Sequence, residues 1–377
     1  MKIGIVTIPP KENYGGVMQA YALQRILSEM GHEAYIIMPS VPVRRFKLNP
    51  YLVPLIYLKR FFKKYILRDK KSKVFIEKKL NSDMRVVRQH YIKFLDDNIP
   101  QYHCNKYQDI AHNEFDVFVV GSDQVWNMAH VHNIHNSYLG FAKSWNIKRY
   151  AYAASFGIPN LNDYSSDEVE VCRSLIKMFD AVSVREDVGV DLCRDYFDKD
   201  AKHVLDPTML YDKEDYEKLI ENESRQRGQL LRYFLESTKQ SDLIISKFCD
   251  KLNLVHHKVR VEEKYEYGWL VDNIDNYIIP SPYKWLAGFR DAEFVVTDSF
   301  HGTIFSIIFN KPFVVMMKTN SGKARIPSLL NIFGLENRLI NSVSELNEAH
   351  FAPIDYERVN KIKKEWQQRS FEFLRQI

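Results

Sequence analysis

The stretch KIGIVTIPPKENYGGVMQAYALQRILSEMGHEAYIIM, residues 2–38, decides the fold. It opens with a short apolar run typical of a buried parallel strand, and a polar loop with two adjacent glycines follows. Apolar side chains at helical spacing then predict a helix that ends near Gly31, a natural C-cap, before a second strand. Strand, glycine loop, helix and strand within about 40 residues predict a βαβ unit that begins a Rossmann-like parallel sheet.

Four later apolar runs are predicted to extend this sheet: FDVFVVGSDQVWN, RYAYAASFG, FDAVSVRED and AKHVLDPTML. Each run ends in polar residues at its carboxyl end, outside which open α/β sheets bind their ligands. We therefore expect Asp123, Ser155, Arg185 and Asp206 to face one crevice. Residues 41–112, ahead of these runs, are interpreted as a basic, helical insertion between elements of the sheet.

The second half of the chain predicts another parallel α/β domain. A charged stretch, residues 211–228, is interpreted as a helical connector, after which strands and helices alternate again. The predicted limits are 1–210 for the N-terminal domain, 211–350 for the C-terminal domain and 355–377 for a final helix that packs back on the N-terminal domain. The predicted fold class is α/β, with two Rossmann-like domains facing a cleft, as in the glycosyltransferase-B architecture.

The composition bounds the class of protein. The chain has 377 residues, 45% hydrophobic and 27% charged, which is ordinary for a globular protein. Its four cysteines are widely spaced without a C-x-x-C pair, which disfavours a disulfide framework or a structural zinc site. No apolar run approaches the roughly 18 residues of a membrane-spanning helix, and the N-terminus lacks a secretory signal, so the expected compartment is the cytoplasm.

The net charge of +5 is unevenly distributed along the chain. Residues 43–79 contain thirteen Lys or Arg residues, and the acids there are Asp69 and Glu77 alone. Three interpretations of this segment stay open. It can form a peripheral contact with the inner face of an anionic membrane, or a solvated helix that packs its aromatics on the protein. It can also bind nucleic acid, but no helix-turn-helix or zinc-finger pattern supports that partner.

The stretch VVTDSFHGTIFSIIF predicts a strand, a turn and a helix in the second domain. A helix N-terminus at the carboxyl end of a strand is an anion site. His301 can exchange a proton near neutral pH, and Asp298 can orient it or act as a base. Ser299 or Asp298 can instead merely cap the helix. The residues of this turn expected to contact substrate are Ser299, Gly302 and Thr303.

Several segments resemble one known family. NYGGVMQAYALQ, FDVFVVGSDQVWN, AVSVRED, VLDPTML and TDSFHGTIFSIIFNKPFVVM come in the order seen in polysaccharide pyruvyl transferases, over roughly residues 1–340. The resemblance implies transfer of an enolpyruvyl unit from phosphoenolpyruvate to a sugar of a surface polysaccharide or its lipid-linked precursor, forming a pyruvate ketal. It implies no cofactor besides this donor substrate, with the acceptor on residues 1–210 and the donor on 211–350. Many members of the family have residues resembling Arg-Leu-His at the position where this chain has Ser299-Phe300-His301. This difference leaves the mode of donor binding open.

The implied reaction needs an acid and positive charge, and single residues are candidates for these roles; the first of them has the role seen in the family. His301 is the candidate general acid. Arg185 is the best cation for the donor, or alternatively a surface arginine paired with the acids that follow it. Lys323 and Arg325 can reach the donor phosphate, or can lie in a solvated loop.

Residues near the crevice edge are candidates for acceptor binding. Asp123 and Gln124 can bind acceptor hydroxyls, although Asp123 can instead be a turn former. The first loop, with Asn13, Gly15 and Gly16, is expected to line the acceptor side, although Gly16 can simply open the helix. The histidines of HVHNIH lack a suitably spaced carboxylate or Cys, so no metal site is predicted. Two rival functions remain, a glycosyltransferase that uses a nucleotide sugar and a non-catalytic binding protein.

Overall fold

The computed structural model describes residues 1–10, 13–40, 53–69, 74, 76–259, 274–317 and 324–377, without the side chains of 76–81. Its first sheet is parallel throughout and has the strand order β3-β2-β1-β4-β5-β6-β7. These strands are β1 Lys2–Val6, β2 Glu33–Pro39, β3 Gln101–Cys104, β4 Val117–Val120, β5 Lys148–Ala154, β6 Ala181–Val184 and β7 Lys202–His203.

The helices of the first half connect these strands. They are α1 Tyr14–Glu29, α2 Val53–Phe61, α3 Ile76–Val87, α4 Gln89–Asn98, α5 Ile134–Ser137, α6 Ser166–Ile176, α7 Asp187–Phe197 and α8 Lys213–Leu219.

The second sheet is also parallel, with the order β12-β11-β10-β8-β9. Its strands are β8 Gln229–Tyr233, β9 Val255–Lys258, β10 Ala292–Thr297, β11 Phe313–Met316 and β12 Leu339–Ile340. The helices of this half are α9 Lys239–Leu252, α10 Pro282–Asp291, α11 Phe300–Ile308, α12 Arg325–Phe333 and α13 Tyr356–Leu374. The two parallel sheets confirm the predicted architecture of two Rossmann-like domains.

Helix α1 lies at the contact between the two halves. Its apolar residues are buried from Tyr14 to Leu27, whereas a helix on the surface buries only one face. The Tyr14 ring stacks on Trp285 of α10, with ring centroids 5.3 Å apart, and its hydroxyl donates to the Pro280 carbonyl at 2.8 Å. The loop between β1 and α1 is therefore held against the second half.

Each sheet has a point at which its strand order reverses. In the first sheet this point lies between β1 and β4, and in the second it lies between β8 and β10. Ligands of open α/β sheets bind at such points, outside the carboxyl ends of the strands. The loops that leave these strands carry most of the residues that the sequence singled out.

Helix α13 packs on the first half of the chain. The Ser370 hydroxyl accepts a hydrogen bond from the Leu205 amide at 3.0 Å, and Lys363 pairs with Asp212 at 2.5 Å. Near the end of the chain, the Tyr150 hydroxyl donates to the Gln376 carbonyl at 2.8 Å. The exact limits of the two domains stay a prediction.

Two sequence-based assignments need correction. Residues 41–112 are more than an insertion, because β3 within them forms the edge of the first sheet against β2. Its four residues, QYHC, are only half-buried and form no apolar run, so the strand left no clear signal. In the predicted helical connector at 211–228, α8 accounts for Lys213–Leu219 only. Among the described residues, no helix is long and apolar enough to cross a membrane.

Candidate active site

The turn before α11 is held by its own polar side chains. Ser299 is the N-cap of the helix, where its hydroxyl accepts a hydrogen bond from the Gly302 amide at 3.3 Å. The Thr303 hydroxyl donates to the Ser299 carbonyl at 3.0 Å, and Thr297 accepts from the Ser299 amide at 3.1 Å. Ser299 and Thr303 thus stabilise the helix N-terminus, and His301 lies in the first turn of this helix. The capping role is the alternative that the sequence analysis gave for Ser299.

His301 lies where the two halves of the chain meet. Its side chain is buried, and its Nε2 lies 3.6 Å from Oδ2 of Asp206, within ion-pair range but beyond a normal hydrogen bond. On another side, a Cβ built on Gly15 would lie 2.0 Å from His301 Nδ1. Only a glycine at this position leaves room for the imidazole, so Gly15 acts by its lack of a side chain.

Asp206 and Arg185 form the centre of a buried ionic cluster. Arg185 contacts Asp206 through Nη1 at 2.7 Å and Asp123 through Nη2 at 3.2 Å, and all three side chains are almost fully buried. The Ser122 hydroxyl donates to Asp206 at 3.0 Å, and Thr208 donates to the other carboxylate oxygen through both its amide and its hydroxyl.

The charges of this cluster set its protonation. Burial opposes the ionisation of Asp206, but the contact and charge of His301 and the charge of Arg185 outweigh it and hold the pKa of Asp206 well below its usual range. Arg185 and His301 likewise outweigh burial and lower the pKa of Asp123. Arg185 therefore sits between two carboxylates, and its charge is already balanced within the protein. It is neither a surface arginine nor a free cation for a donor.

Glu186 is another buried acid, but its pKa is shifted in the opposite direction to those of Asp206 and Asp123. Its Oε1 accepts hydrogen bonds from the Ser155 hydroxyl at 3.0 Å and from the amides of Phe156 and Gly157 at 2.7 and 3.1 Å. Burial nevertheless raises the pKa of this carboxyl, against the opposing charge of Arg185. Glu186 was not among the predicted site residues, and it is the partner of the predicted Ser155 hydroxyl.

Arg325 opens α12 beside the same cluster. Its guanidinium carbon lies 5.4 Å from the ring centroid of Phe300, and that of Arg185 lies 4.6 Å from the same centroid. Within the described part of the chain, Arg325 forms no ion pair. Burial, and then the charge of Arg185, lower the pKa of Arg325 to about 10. Arg325 thus has a positive charge that is available to pair with an incoming anion. Lys323, the other predicted cation of this segment, lies outside the described residues.

The residues predicted for the acceptor side are divided between two neighbouring places. A Cβ on Gly16 would lie 3.4 Å from both Asn13 Nδ2 and Asp123 Oδ2, so these side chains lie together by the first loop. The Gln124 amide oxygen instead accepts from Asn127 at 3.0 Å and lies against Gly157.

Asp298 joins two loops of the second sheet. Its Oδ1 accepts a hydrogen bond from the Leu235 amide at 2.7 Å, which ties the loop after β10 to the loop after β8. The carboxylate that the structure places beside the His301 imidazole is that of Asp206, from the first half. Sequence analysis put Asp206 in the crevice without linking it to His301, because nothing in the sequence shows which carboxylate approaches across the cleft.

Comparison with solved structures identifies the same architecture. The glycotransferase of kitacinnamycin aligns with a TM-score of 0.50 and 13% identity, covering 100% of this chain and 99% of that one. A putative UDP-N-acetylglucosamine 2-epimerase from Listeria monocytogenes aligns with a TM-score of 0.49 and 12% identity, covering 98% and 91% of the two chains. At 13% identity, the alignment with the glycotransferase of kitacinnamycin is a likeness of fold alone, the glycosyltransferase-B-like fold.

Comparison of sequences addresses the family. No curated protein matches the chain significantly. The model of one family, described as polysaccharide pyruvyl transferase, matches residues 13–317. The match begins at Asn13 in the first loop and includes Asp206 and His301 on both sides of the cleft. Because it spans most of the sequence, the chain belongs to the polysaccharide pyruvyl transferase family.

Proposed function

We propose that this protein transfers an enolpyruvyl unit from phosphoenolpyruvate to a saccharide and closes a pyruvate ketal on two of its hydroxyls. The observation that carries the proposal is His301, held between Asp206 and Gly15 where the two sheets meet. An imidazole is a common proton donor in catalysis, and a neighbouring carboxylate can orient its ring. The family supports the reaction class.

The proton from His301 goes to the methylene carbon of phosphoenolpyruvate. The neighbouring carbon then has oxocarbenium character, and an acceptor hydroxyl adds to it and loses its proton. The bond to the phosphate oxygen breaks with its electron pair, and inorganic phosphate leaves. A second hydroxyl of the same sugar then adds to the same carbon and loses its proton, which closes the ketal. The carbon–carbon π bond and the carbon–oxygen bond to the phosphate are thus exchanged for one carbon–hydrogen and two carbon–oxygen bonds. Of the two hydroxyl protons released, one restores His301 and the other leaves with the phosphate.

The donor brings a phosphate and a carboxylate, so its site needs positive charge. The N-terminus of α11 offers a helix dipole, and Arg325 beside it offers a guanidinium. Arg185 contributes indirectly, because its pairs with Asp123 and Asp206 hold the two carboxylates in place. We assign donor binding to Arg325 rather than to Arg185, since Arg325 pairs with no carboxylate of the described residues and such a cation gains most from an incoming anion.

The acceptor side is formed by Asn13, Gly16 and Asp123 at the first loop. Carboxylate and amide groups of this kind bind sugar hydroxyls by accepting and donating hydrogen bonds. We place the reaction in the cytoplasm, where phosphoenolpyruvate is made, in the assembly of a surface polysaccharide or its lipid-linked precursor. The alternative is a glycosyltransferase that uses a nucleotide sugar, which the fold would accommodate equally well.

An activity assay with His301→Gln tests this proposal. The protein is incubated with phosphoenolpyruvate and a panel of saccharides, while phosphate release and product mass are followed. We expect phosphate release that depends on the acceptor and a product carrying a pyruvate ketal. In His301→Gln the rate should fall by about 10²- to 10⁴-fold, the usual contribution of a general acid, while the melting temperature changes little. Near-normal turnover in this variant would exclude the proton-donor role.

A parallel reaction with nucleotide sugars distinguishes the alternative. Release of a nucleoside diphosphate together with a glycosylated product, without any reaction of phosphoenolpyruvate, would assign the protein to glycosyl transfer.

A further inference from the structure

An exposed helical segment between β2 and α3 is both apolar and basic. We call residues 53–69 the basic arm. Helix α2 continues directly into a π-helical turn, Phe62–Ile66. No side chain of the arm is buried, and Leu58 and Ile66 are 65% and 60% exposed. Soluble monomers rarely leave a contiguous apolar surface of this kind in water, so another surface is expected to cover it.

The apolar side chains of the arm recur at helical spacing. Leu55, Leu58, Phe62 and Ile66 follow one another at intervals of three or four residues, which places them on one face of the helix. All four are more than half exposed. The basic residues that surround this stripe are Lys59, Arg60, Lys63, Lys64 and Arg68, and the single acid of the arm is Asp69.

The length of the arm fits a helix that lies on a membrane surface rather than one that crosses the membrane. From Val53 to Ile66 it runs for roughly 21 Å at about 1.5 Å per residue. The hydrocarbon core of a bilayer is about 30 Å thick, so the arm cannot span it. An apolar stripe flanked by Lys and Arg is instead the pattern of a helix that lies in the plane of an anionic membrane.

We propose that the basic arm docks this protein on an anionic lipid bilayer, with Leu58 and Phe62 at the acyl boundary and the lysines among the headgroups. Against the described residues, the structure does not bury Phe61 or Tyr65 on the rest of the protein. The rings of Phe61 and Tyr65 contact each other, with centroids 4.6 Å apart, and both remain about half exposed. A second copy of the chain is a poorer partner, because it would bring two sets of five cations together.

Such docking would bring a lipid-linked acceptor to the protein. In the sequence, the arm comes after β2, whose carboxyl end lies on the same side of the first sheet as the candidate site. Vesicle binding itself needs no donor or acceptor. The proposal therefore stands or falls independently of the transfer reaction.

Cosedimentation of the full chain with vesicles tests the charge of the arm. We expect binding to phosphatidylcholine vesicles that contain phosphatidylglycerol, and little binding to phosphatidylcholine alone. Each basic residue near such a surface contributes about fivefold, so Lys63→Gln/Lys64→Gln should bind roughly 25-fold more weakly. The matched control, Lys143→Gln/Lys148→Gln, removes two exposed lysines elsewhere and should bind like the wild type.

A second variant tests the apolar stripe. Leu58→Gln/Phe62→Gln should also bind at least about tenfold more weakly, because burial of these side chains drives insertion. Both arm variants should keep the wild-type melting temperature, since none of the changed side chains is buried.

Three outcomes would overturn the proposal. The first is binding to anionic vesicles that both arm variants retain in full, and the second is no binding by the wild type. The third is self-association in sedimentation velocity that Leu58→Gln/Phe62→Gln abolishes, without any vesicle binding. That outcome would identify a second copy of the chain as the partner of the stripe.

Discussion

Gly15 and His301 come from opposite halves of the chain and touch at the candidate site. The position of the imidazole depends on the missing side chain of Gly15, since a Cβ there would lie 2.0 Å from Nδ1. The neighbouring Gly16 has ordinary space around it, with the nearest atoms at 3.4 Å. The two glycines therefore offer a matched pair of substitutions on one helical turn.

Gly15→Ala should displace His301 and should cost about 1–3 kcal/mol in free energy of unfolding, the usual range for overpacking. Turnover should fall with it, because the proton donor moves. Gly16→Ala should cost less than about 1 kcal/mol, since alanine favours a helix and fits here. Urea unfolding and phosphate release measure both effects. Equal stability and activity of the two variants would contradict the close approach.

The two buried acids Asp206 and Glu186 predict opposite effects of pH on the free energy of unfolding. The folded-state pKa of Asp206 is depressed, so its contribution is complete above the unfolded pKa of about 3.9 and is lost as the pH falls below it. The pKa of Glu186 is raised, so the wild type loses stability as the pH rises from the unfolded value of about 4.3 towards the folded one.

Urea midpoints measured between about pH 2 and pH 7, on both sides of the unfolded pKa values of Asp and Glu, check these signs. Asp206→Asn should be less stable than the wild type by about 3–5 kcal/mol at neutral pH, because it removes one of the two carboxylates that balance the buried Arg185. Glu186→Gln keeps the oxygen acceptor and lacks the charge, so its stability relative to the wild type should improve as the pH rises. A change of the same sign in both variants would contradict the assignment.

At the scale of elements, the turn before α11 combines a structural and a chemical role. The Ser299 hydroxyl caps the helix whose N-terminus is proposed to bind the donor anion. Ser299→Ala should therefore cost about 1 kcal/mol of stability with little change in donor affinity. Ser299→Asp keeps a capping oxygen but places a negative charge at the anion site, so the dissociation constant of phosphoenolpyruvate should rise at least about tenfold. Calorimetry with both variants measures this, and unchanged donor affinity in Ser299→Asp would move the donor away from α11.

Sequence periodicity predicted most of the elements and much of the candidate site. The strands β1, β4, β8 and β10 each contain at least four buried residues, most of them apolar, which is why they were recognisable. The edge strand β3 was missed because half-buried residues leave no continuous run. The crevice residues were predicted because parallel strands align their carboxyl ends, but their pairing was not. Arg185 meets Asp123 and Asp206 across loops, and no spacing in the sequence reports that contact.

At the scale of the whole molecule, α13 supports the loop that carries Asp206. The Ser370 hydroxyl accepts a hydrogen bond from the Leu205 amide, next to Asp206, and both residues are buried. Ser370→Ala should leave that amide unpaired and cost about 1–3 kcal/mol. Ser344→Ala, at an exposed serine, should change the stability by less than about 0.5 kcal/mol. Equal urea midpoints for the two variants would show that α13 does not hold the site.

Ligand-induced thermal stabilisation tests the central claim, that the cleft between the two sheets binds phosphoenolpyruvate through Arg325. A ligand that binds only the folded state adds about 2.7 kcal/mol at 100 times its dissociation constant, which raises the melting temperature. We predict a rise with phosphoenolpyruvate, a smaller one in Arg325→Gln, a full one in the exposed control Arg375→Gln, and none with nucleotide sugars. A rise with a nucleotide sugar and none with phosphoenolpyruvate would contradict the account.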